Sequence, residues 1–334
     1  MALITLVHST KAAGDPDAVT HERNFSLCIL LALAYGASIG GMATLIGSPP
    51  NGIYMRFMEQ TYGQVVSIAS WMKVGVPVTL LLFIVSFFVL TGLMFRNMGG
   101  SVPGGKEWVR NELRSMGKLS TGEKAVGLCF LIAAVLWFSG AQLRGINIDG
   151  WQPFKYLTDA VIAMGMGIVP FLIPVDRKGT MAMDWKTANE AISWDVLLLF
   201  GGGLSLASAI QHTGVAQLIG AQVAVLAGSP FPVVLFGVVF IVTFATGVTS
   251  NTALAAMMMP LLAAVANALG LPPQPILMGT ALAASAAFIL PISTPPNAIV
   301  FGTGKIKIAD MFRAGILINF VAIFVITGVM LLLD

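Results

Sequence analysis

Gly47-Ser48-Pro49-Pro50-Asn51-Gly52-Ile53 stands early in the chain, and Ser293-Thr294-Pro295-Pro296-Asn297-Ala298-Ile299 stands late. Both copies break a long apolar stretch. Proline has no N–H and pushes the residue before it out of the α region, so two in succession unwind a helix. Unwound backbone in a bilayer is tolerated only where it is buried in protein or lines a wet cavity. Two broken helices at matching places in two halves point to a binding site near the membrane midplane. The plain alternative, a pair of proline kinks with no ligand, does not explain why the pattern recurs in matching polar contexts.

Around these motifs charge is scarce. Of 334 residues, 57% are hydrophobic and 10% charged, against about 25% charged in soluble domains, and the mean hydropathy is +0.87. No Asp, Glu, Lys or Arg occurs in 24–55, 74–95, 125–143, 160–175 or 314–333, and from Val196 to Gly304 His212 is the only acid or base apart from Tyr or Cys. A spanning helix needs about 20 apolar residues. Candidate spans are 25–57, 72–95, 123–141, 157–175, 194–211, 231–269, 275–303 and 313–333. Of these, 231–269 fits two arms of a hairpin, while 25–57 and 275–303 are broken. The fold class is therefore an all-α polytopic membrane protein. Met1 to Val7 resembles the tail of a span, and no secretory signal peptide opens the chain. No basic stripe carries interleaved aromatics, which excludes nucleic acid as a partner. Cys28 and Cys129 read as small core residues. The spans lack paired carboxylates or a metal-spaced His set, so the chain does not read as an enzyme.

Basic residues favour the cytoplasm. With the segment before Asn24 inside, 14 Lys and Arg fall on inner segments and 4 on outer ones, which puts the C-terminus outside. The first broken segment then runs outward and the second inward, an inverted repeat. The 97–120 stretch reads as a solvated connector, and 176–193 as a helix-compatible segment along the inner interface.

A second polar island, Thr246-Gly247-Val248-Thr249-Ser250-Asn251-Thr252, falls in the middle of 231–269. A re-entrant tip facing a broken helix would satisfy these groups, whereas polar glue between helices is the simpler reading. A helix starting near Asn251 puts partial positive charge at the tip, which suits a carboxylate. Backbone carbonyls freed at the tip and at Ser293 suit sodium. With no Lys or Arg near these motifs, a bound anion calls for a co-bound cation.

On Ser250-Asn251-Thr252, on Ser38-Ile39-Gly40-Gly41 leading to Gly47-Ser48-Pro49-Pro50-Asn51, and on Leu290-Pro291 leading to Thr294 through Gly302, the chain resembles the divalent anion:sodium symporter family. Trp194-Asp195 leading to Phe200-Gly201-Gly202-Gly203 adds to the likeness. The resemblance implies sodium symport of C4-dicarboxylates such as succinate, malate or fumarate, in a multi-pass homodimer of the cell (inner or plasma) membrane. It implies an elevator motion of a transport domain, with sodium as coupling ion and no organic cofactor. A citrate or sulfate carrier, or an exchanger, is the nearest alternative. By the same resemblance Ser48, Pro49, Asn251, Thr252, Thr294 and Pro295 line the dicarboxylate site. Gly47 serves one sodium site, and Thr246, Thr249, Asn251 and Ser293 the other, largely through carbonyls. The family often has Ala at the place of Ser293.

The implied organisation runs in four parts. Residues 1–95 end a first repeat, 96–120 form a cytoplasmic loop, 121–212 hold scaffold helices and an interfacial helix, and 213–334 form the second repeat and last span. The family has two Ser-Asn-Thr hairpins and this chain has one. Thr252 precedes Thr294 by 42 residues, and the same offset from Ser48, lengthened by the polar 8–24 segment, falls before Met1. The expectation is an N-terminally shortened version, inactive unless the first hairpin is supplied.

Overall fold

The computed structural model describes residues 16–96, 105–149, 151–176, 179–192 and 228–333, with isolated positions between 194 and 214. Among them the regular structure is helical: α1 (Pro16–Gly41), α2 (Pro49–Tyr62), α3 (Ile68–Phe88), α4 (Gly105–Ser115), α5 (Thr121–Arg144), α6 (Asp159–Ile168), α7 (Trp185–Ala191), α8 (Phe231–Thr246), α9 (Asn251–Leu269), α10 (Pro273–Ser285), α11 (Pro295–Phe301) and α12 (Ile308–Leu333). Among the described residues five segments are long and apolar enough to cross a membrane: Arg23–Gly41, Ile68–Met94, Thr121–Gly140, Asn251–Leu269 and Ile308–Leu333. Asp159–Phe171 and Phe231–Thr246 are shorter apolar helices. The chain is a multi-pass membrane protein.

The broken segments fall where the prolines place them. The 25–57 stretch is α1 and α2 separated at 42–48, and 275–303 is α10 and α11 separated at 286–294. The 231–269 stretch is two helices parted at 247–250. The connector at 97–120 differs from expectation, because its described part folds as α4, with Glu107 in the first turn and Arg114 in the last. That charge order suits the helix dipole, and Glu107 and residues 109–115 are exposed as expected. The 194–211 span, the Trp194–Gly203 motif and the Met1–Val7 segment lie mainly or wholly outside the described residues.

The chain divides into two compact units, Met1–Val66 with Trp71–Gly105 and Asp195–Asp334, and Ser67–Ser70 with Lys106–Trp194. In the first, α10 is central and packs against α8, α9, α2 and α12. Every residue of α10 from Pro275 to Ser285 is buried, as its all-round apolar sequence requires. Lipid tails are as apolar as Leu, so burial alone does not join these helices, and small residues that allow close packing do. Ala281, Ala283, Ala284, Ala286 and Ala287 are all at 0% exposure and form such a run. Tyr35 packs edge-on to Phe288 at 5.2 Å and its hydroxyl donates to the Met311 carbonyl at 3.1 Å.

In the second unit α5 opens on a capping box formed by Ser120 and Glu123. It packs on α6, where the Trp137 indole N–H donates to the Asp159 carbonyl at 3.1 Å. Arg144 donates to the Leu157 carbonyl at 2.9 Å.

Candidate functional site

The two Pro-Pro breaks have the same internal construction. The residue before the prolines is extended in both, Ser48 at φ −146°, ψ 137° and Thr294 at φ −143°, ψ 150°. This is the conformation a following proline imposes. Upstream, the Gly47 N–H donates to the Thr44 carbonyl at 3.2 Å, and the Ser293 N–H to the Leu290 carbonyl at 3.3 Å. Downstream, the asparagine of each motif reaches back. Asn51 Nδ2 donates to the Gly41 carbonyl at 3.0 Å and to that of Thr44 at 2.8 Å. Asn297 Nδ2 donates to the Ala287 carbonyl at 2.9 Å and to that of Leu290 at 3.1 Å. In both copies the acceptors lie ten and seven residues upstream. A buried break needs donors for carbonyls that lost their helical partners, and the motif asparagine supplies two.

Tight packing holds each break from the side. A Cβ on Gly41 would sit 2.6 Å from the Gly47 carbonyl oxygen, and one on Gly47 2.5 Å from that of Gly41. A Cβ on Gly75 of α3 would sit 2.7 Å from the Met42 carbonyl oxygen, and one on Gly315 of α12 would overlap the Phe288 carbonyl. Glycine is required at these positions because backbone meets backbone. The pairing of arms is reciprocal: α1 packs on α11, and α10 packs on α2.

Hydrogen bonds then join the three polar elements. Ser48 Oγ lies 2.9 Å from Ser285 Oγ, linking the first break to the end of α10. The Thr246 hydroxyl donates to the Ala284 carbonyl at 2.8 Å, and the Ser293 hydroxyl to the Gly247 carbonyl at 2.8 Å. The start of the 247–250 bend is therefore fastened to the second break. Ser48, Asn51, Thr246, Asn251, Thr252, Ser293, Thr294 and Asn297 are all buried, while Gly47, Pro49, Thr249 and Pro295 are exposed. Asn251 Oδ1 accepts from the Thr252 N–H at 2.8 Å and from the Thr252 hydroxyl at 3.2 Å, and Thr249 donates back to the Ala245 carbonyl within its own helix end. Ser48 and Thr246 are thus both bonded to the end of α10 and Ser293 to Gly247, whereas Asn251 and Thr252 bond to each other.

The chemistry on offer is neutral oxygen and N–H. Thr294 Oγ1 and Asn297 Oδ1 are buried with no hydrogen-bond partner among the described residues. The carbonyls of Gly47, Ser293, Thr246, Val248 and Thr249 accept no hydrogen bond among the described residues. Hard cations take oxygen ligands of this kind. The N-cap Ser250 makes no side-chain cap to α9, so the positive end of a 19-residue helix faces the bend. No group of three or more His, Cys, Asp or Glu gathers among the described residues.

Sequence reading passed over Ser285, Gly75 and Gly315. The signal for Ser285 was its isolation, a single hydroxyl in Ala283-Ala284-Ser285-Ala286-Ala287-Phe288. The glycines carried none, since only the neighbouring backbone makes them necessary.

Two like-built helix breaks fastened to a third polar bend, in a multi-span chain, define the architecture of a polytopic membrane protein with an uncharged internal polar site. The chain belongs to the family described as the sodium:sulfate symporter transmembrane region, which it matches over residues 1–333. It is 38% identical over 305 residues to the sodium-dependent dicarboxylate transporter SdcS of Staphylococcus saprophyticus, covering 90% of this chain and 58% of that one. To SdcS of Staphylococcus aureus it is 36% identical over 328 residues, covering 98% of this chain and 62% of the relative. The chain therefore spans about three-fifths of the length of these relatives.

Proposed function

We propose that the chain carries out secondary active transport of C4-dicarboxylates such as succinate, malate or fumarate by sodium symport. The observation that carries the reading is the fastening, by buried hydroxyls, of two like-built breaks to the end of α10 and to the start of the 247–250 bend, without acid or base. Thr294, with its unpartnered hydroxyl, donates to a carboxylate, as do Ser48 and the Asn251 amide, whose oxygen Thr252 holds as it lines the same place. Pro49 and Pro295 border the same place. The carbonyl of Gly47 serves one sodium, and Thr246, Thr249, Asn251 and Ser293 serve the other, largely through carbonyls. Sodium supplies the positive charge that the side chains lack. The names of the relatives support the anion and the ion.

Equal construction and reciprocal packing of the breaks support an inverted repeat, the arrangement used for alternating access. An elevator motion, a homodimer, a cell-membrane location with the C-terminus outside and a re-entrant 231–269 hairpin complete the reading. The description of the family also favours a second one, in which the anion is sulfate or another oxyanion.

Corresponding positions of the two halves differ in cover. Ile53 is 6% exposed beneath α9, while Ile299, at the same place after its prolines, is 71% exposed. Ala283 is fully buried, and Ala37, at the same distance before its break, is exposed. A second hairpin like α8–α9, laid on the α1–α11 face, would restore the balance and supply the other half of the site.

Labelled succinate uptake into proteoliposomes tests the proposal, with and without a sodium gradient, and with Asn251→Ala and Thr252→Ala beside the parent. Sodium-driven uptake lost in both variants is the expected result. Uptake indifferent to sodium, or unchanged in both variants, overturns it. Competition by unlabelled sulfate separates the two anion classes.

A further inference from the structure

Ser285 ends α10 at the second break and is 2% exposed. Its Oγ lies 2.9 Å from Ser48 Oγ and 3.5 Å from Asn51 Oδ1, both at the first break. At the second break the corresponding atoms, Thr294 Oγ1 and Asn297 Oδ1, have no partner among the described residues. The reason lies in one side chain. Ser285 stands nine residues before Thr294, and the residue nine before Ser48 is Ile39. Ile39 is 1% exposed and has no hydroxyl to offer. The two breaks share the asparagine bonds to backbone carbonyls and differ in the polar contact made to Ser48 and to Thr294.

Proton count gives the difference a direction. A hydroxyl has one proton and two acceptor sites. A separation of 2.9 Å is an ordinary O–H···O length, and 3.5 Å lies beyond that range. Either hydroxyl can donate across the 2.9 Å contact, and at 3.5 Å Asn51 is the weaker acceptor for the Ser285 proton. When Ser285 donates to Ser48, Ser48 keeps its own proton and can donate it away from Ser285. In the opposite arrangement Ser48 would bond to Ser285 and present only lone pairs, which suit a cation and repel a carboxylate.

We infer that Ser285 is a positioning residue for the anion: by donating to Ser48 Oγ it makes Ser48 a hydrogen-bond donor, matching the donor that Thr294 offers unaided at the other break. The inference rests on the dicarboxylate reading above and adds to it a residue outside every motif. It also assigns the two breaks unequal parts, the first fixed by a serine bridge and the second left open for ligand.

The test is equilibrium binding of labelled succinate in saturating sodium by the purified chain in lipid nanodiscs, with unfolding midpoints of the same samples. The variants are Ser285→Ala, Ser285→Thr, Ser48→Ala and the Ser48→Ala/Ser285→Ala pair. Loss of one charge-assisted hydrogen bond corresponds to about tenfold in affinity. Ser285→Ala is expected to weaken succinate by about that factor, Ser285→Thr to bind within about twofold of the parent, and Ser285→Ala to add nothing once Ser48 is Ala. A merely structural serine would lower the midpoint without this dependence on Ser48. Parent-like binding by Ser285→Ala, or an equal loss in the Ser48→Ala background, overturns the inference. If the parent binds no succinate, it is binding by this chain unaided that fails. The midpoints then decide: additive losses overturn the Ser285–Ser48 pairing, and a double variant no worse than either single one upholds it.

Discussion

The Ser293 hydroxyl donates to the carbonyl of Gly247 at 2.8 Å, across 46 residues of sequence. This bond holds the end of α8 against the second break, and both residues are buried. Ser293→Ala removes the donor and leaves a buried carbonyl without it, at a cost of about 1 kcal/mol. Faster amide exchange at Gly247–Ser250 than in the parent is the expected sign, with the 281–285 amides unchanged. Equal exchange in both proteins would show that the bend is held by other means. Because the proposed sodium contact runs through the backbone carbonyl of Ser293, sodium-dependent uptake should survive with a raised sodium requirement.

Asn51 and Asn297 each satisfy two carbonyls of their own break. Alanine at either position loses two buried hydrogen bonds, and about 2–3 kcal/mol of stability is expected to go with them. Aspartate should be worse than alanine, because it sets acceptor oxygens against two carbonyls. Thermal unfolding in detergent reads both effects. If Asn51→Ala and Asn297→Ala differ widely, the likeness of the two breaks is not energetic.

Gly315→Ala is expected to destabilise strongly, since its Cβ would overlap the Phe288 carbonyl and the obstacle is backbone rather than a movable side chain. Overpacking of this kind costs about 1–3 kcal/mol or more. A Cβ added to Gly328 in the same helix would meet nothing within 4 Å. Gly328→Ala should be neutral or stabilising by about 0.5–1 kcal/mol, as for alanine replacing glycine in a helix. The two midpoints, measured side by side, separate close packing from helix propensity.

Thr294→Val tests the second break without changing its shape. The Thr294 hydroxyl is buried and unpartnered among the described residues, so its removal should leave the midpoint unchanged or raise it. Succinate affinity should fall by about tenfold if that hydroxyl donates to the anion. A drop in stability with affinity intact would assign Thr294 to the fold instead.

With no Asp, Glu, Lys or Arg between Val196 and Gly304, the second half of the site has no charged side chain to titrate. Sodium-driven succinate uptake should be flat from about pH 6.5 to 8 and fall at lower pH as the substrate's own second carboxyl takes up a proton. His212 is the one acid or base in this stretch apart from Tyr and Cys. A profile displaced by His212→Ala would place a protein group in the coupling.

Much of the fold was legible without coordinates. Missing charge located the spans, and the local rule that proline unwinds the residue before it placed the breaks at 42–48 and 286–294 within a few residues. The polar run at Thr246–Thr252 marked the bend between α8 and α9. These readings succeed because each depends on neighbours in sequence. The helix at Gly105–Ser115 was missed because a Gly-rich, charged flank reads as a loop, although its Glu-to-Arg order fits the helix dipole.

The sequence by itself determined which segments are apolar, where two of them must break, and that the breaks are alike. Only the tertiary structure decided what satisfies them. Asn51 and Asn297 turn back to carbonyls that proline set free, Gly41 and Gly315 let backbone meet backbone, and Ser285 reaches a serine 237 residues away in the chain. Hydrogen bonding and close packing depend on positions in space, and no local pattern of residue types encodes those distances.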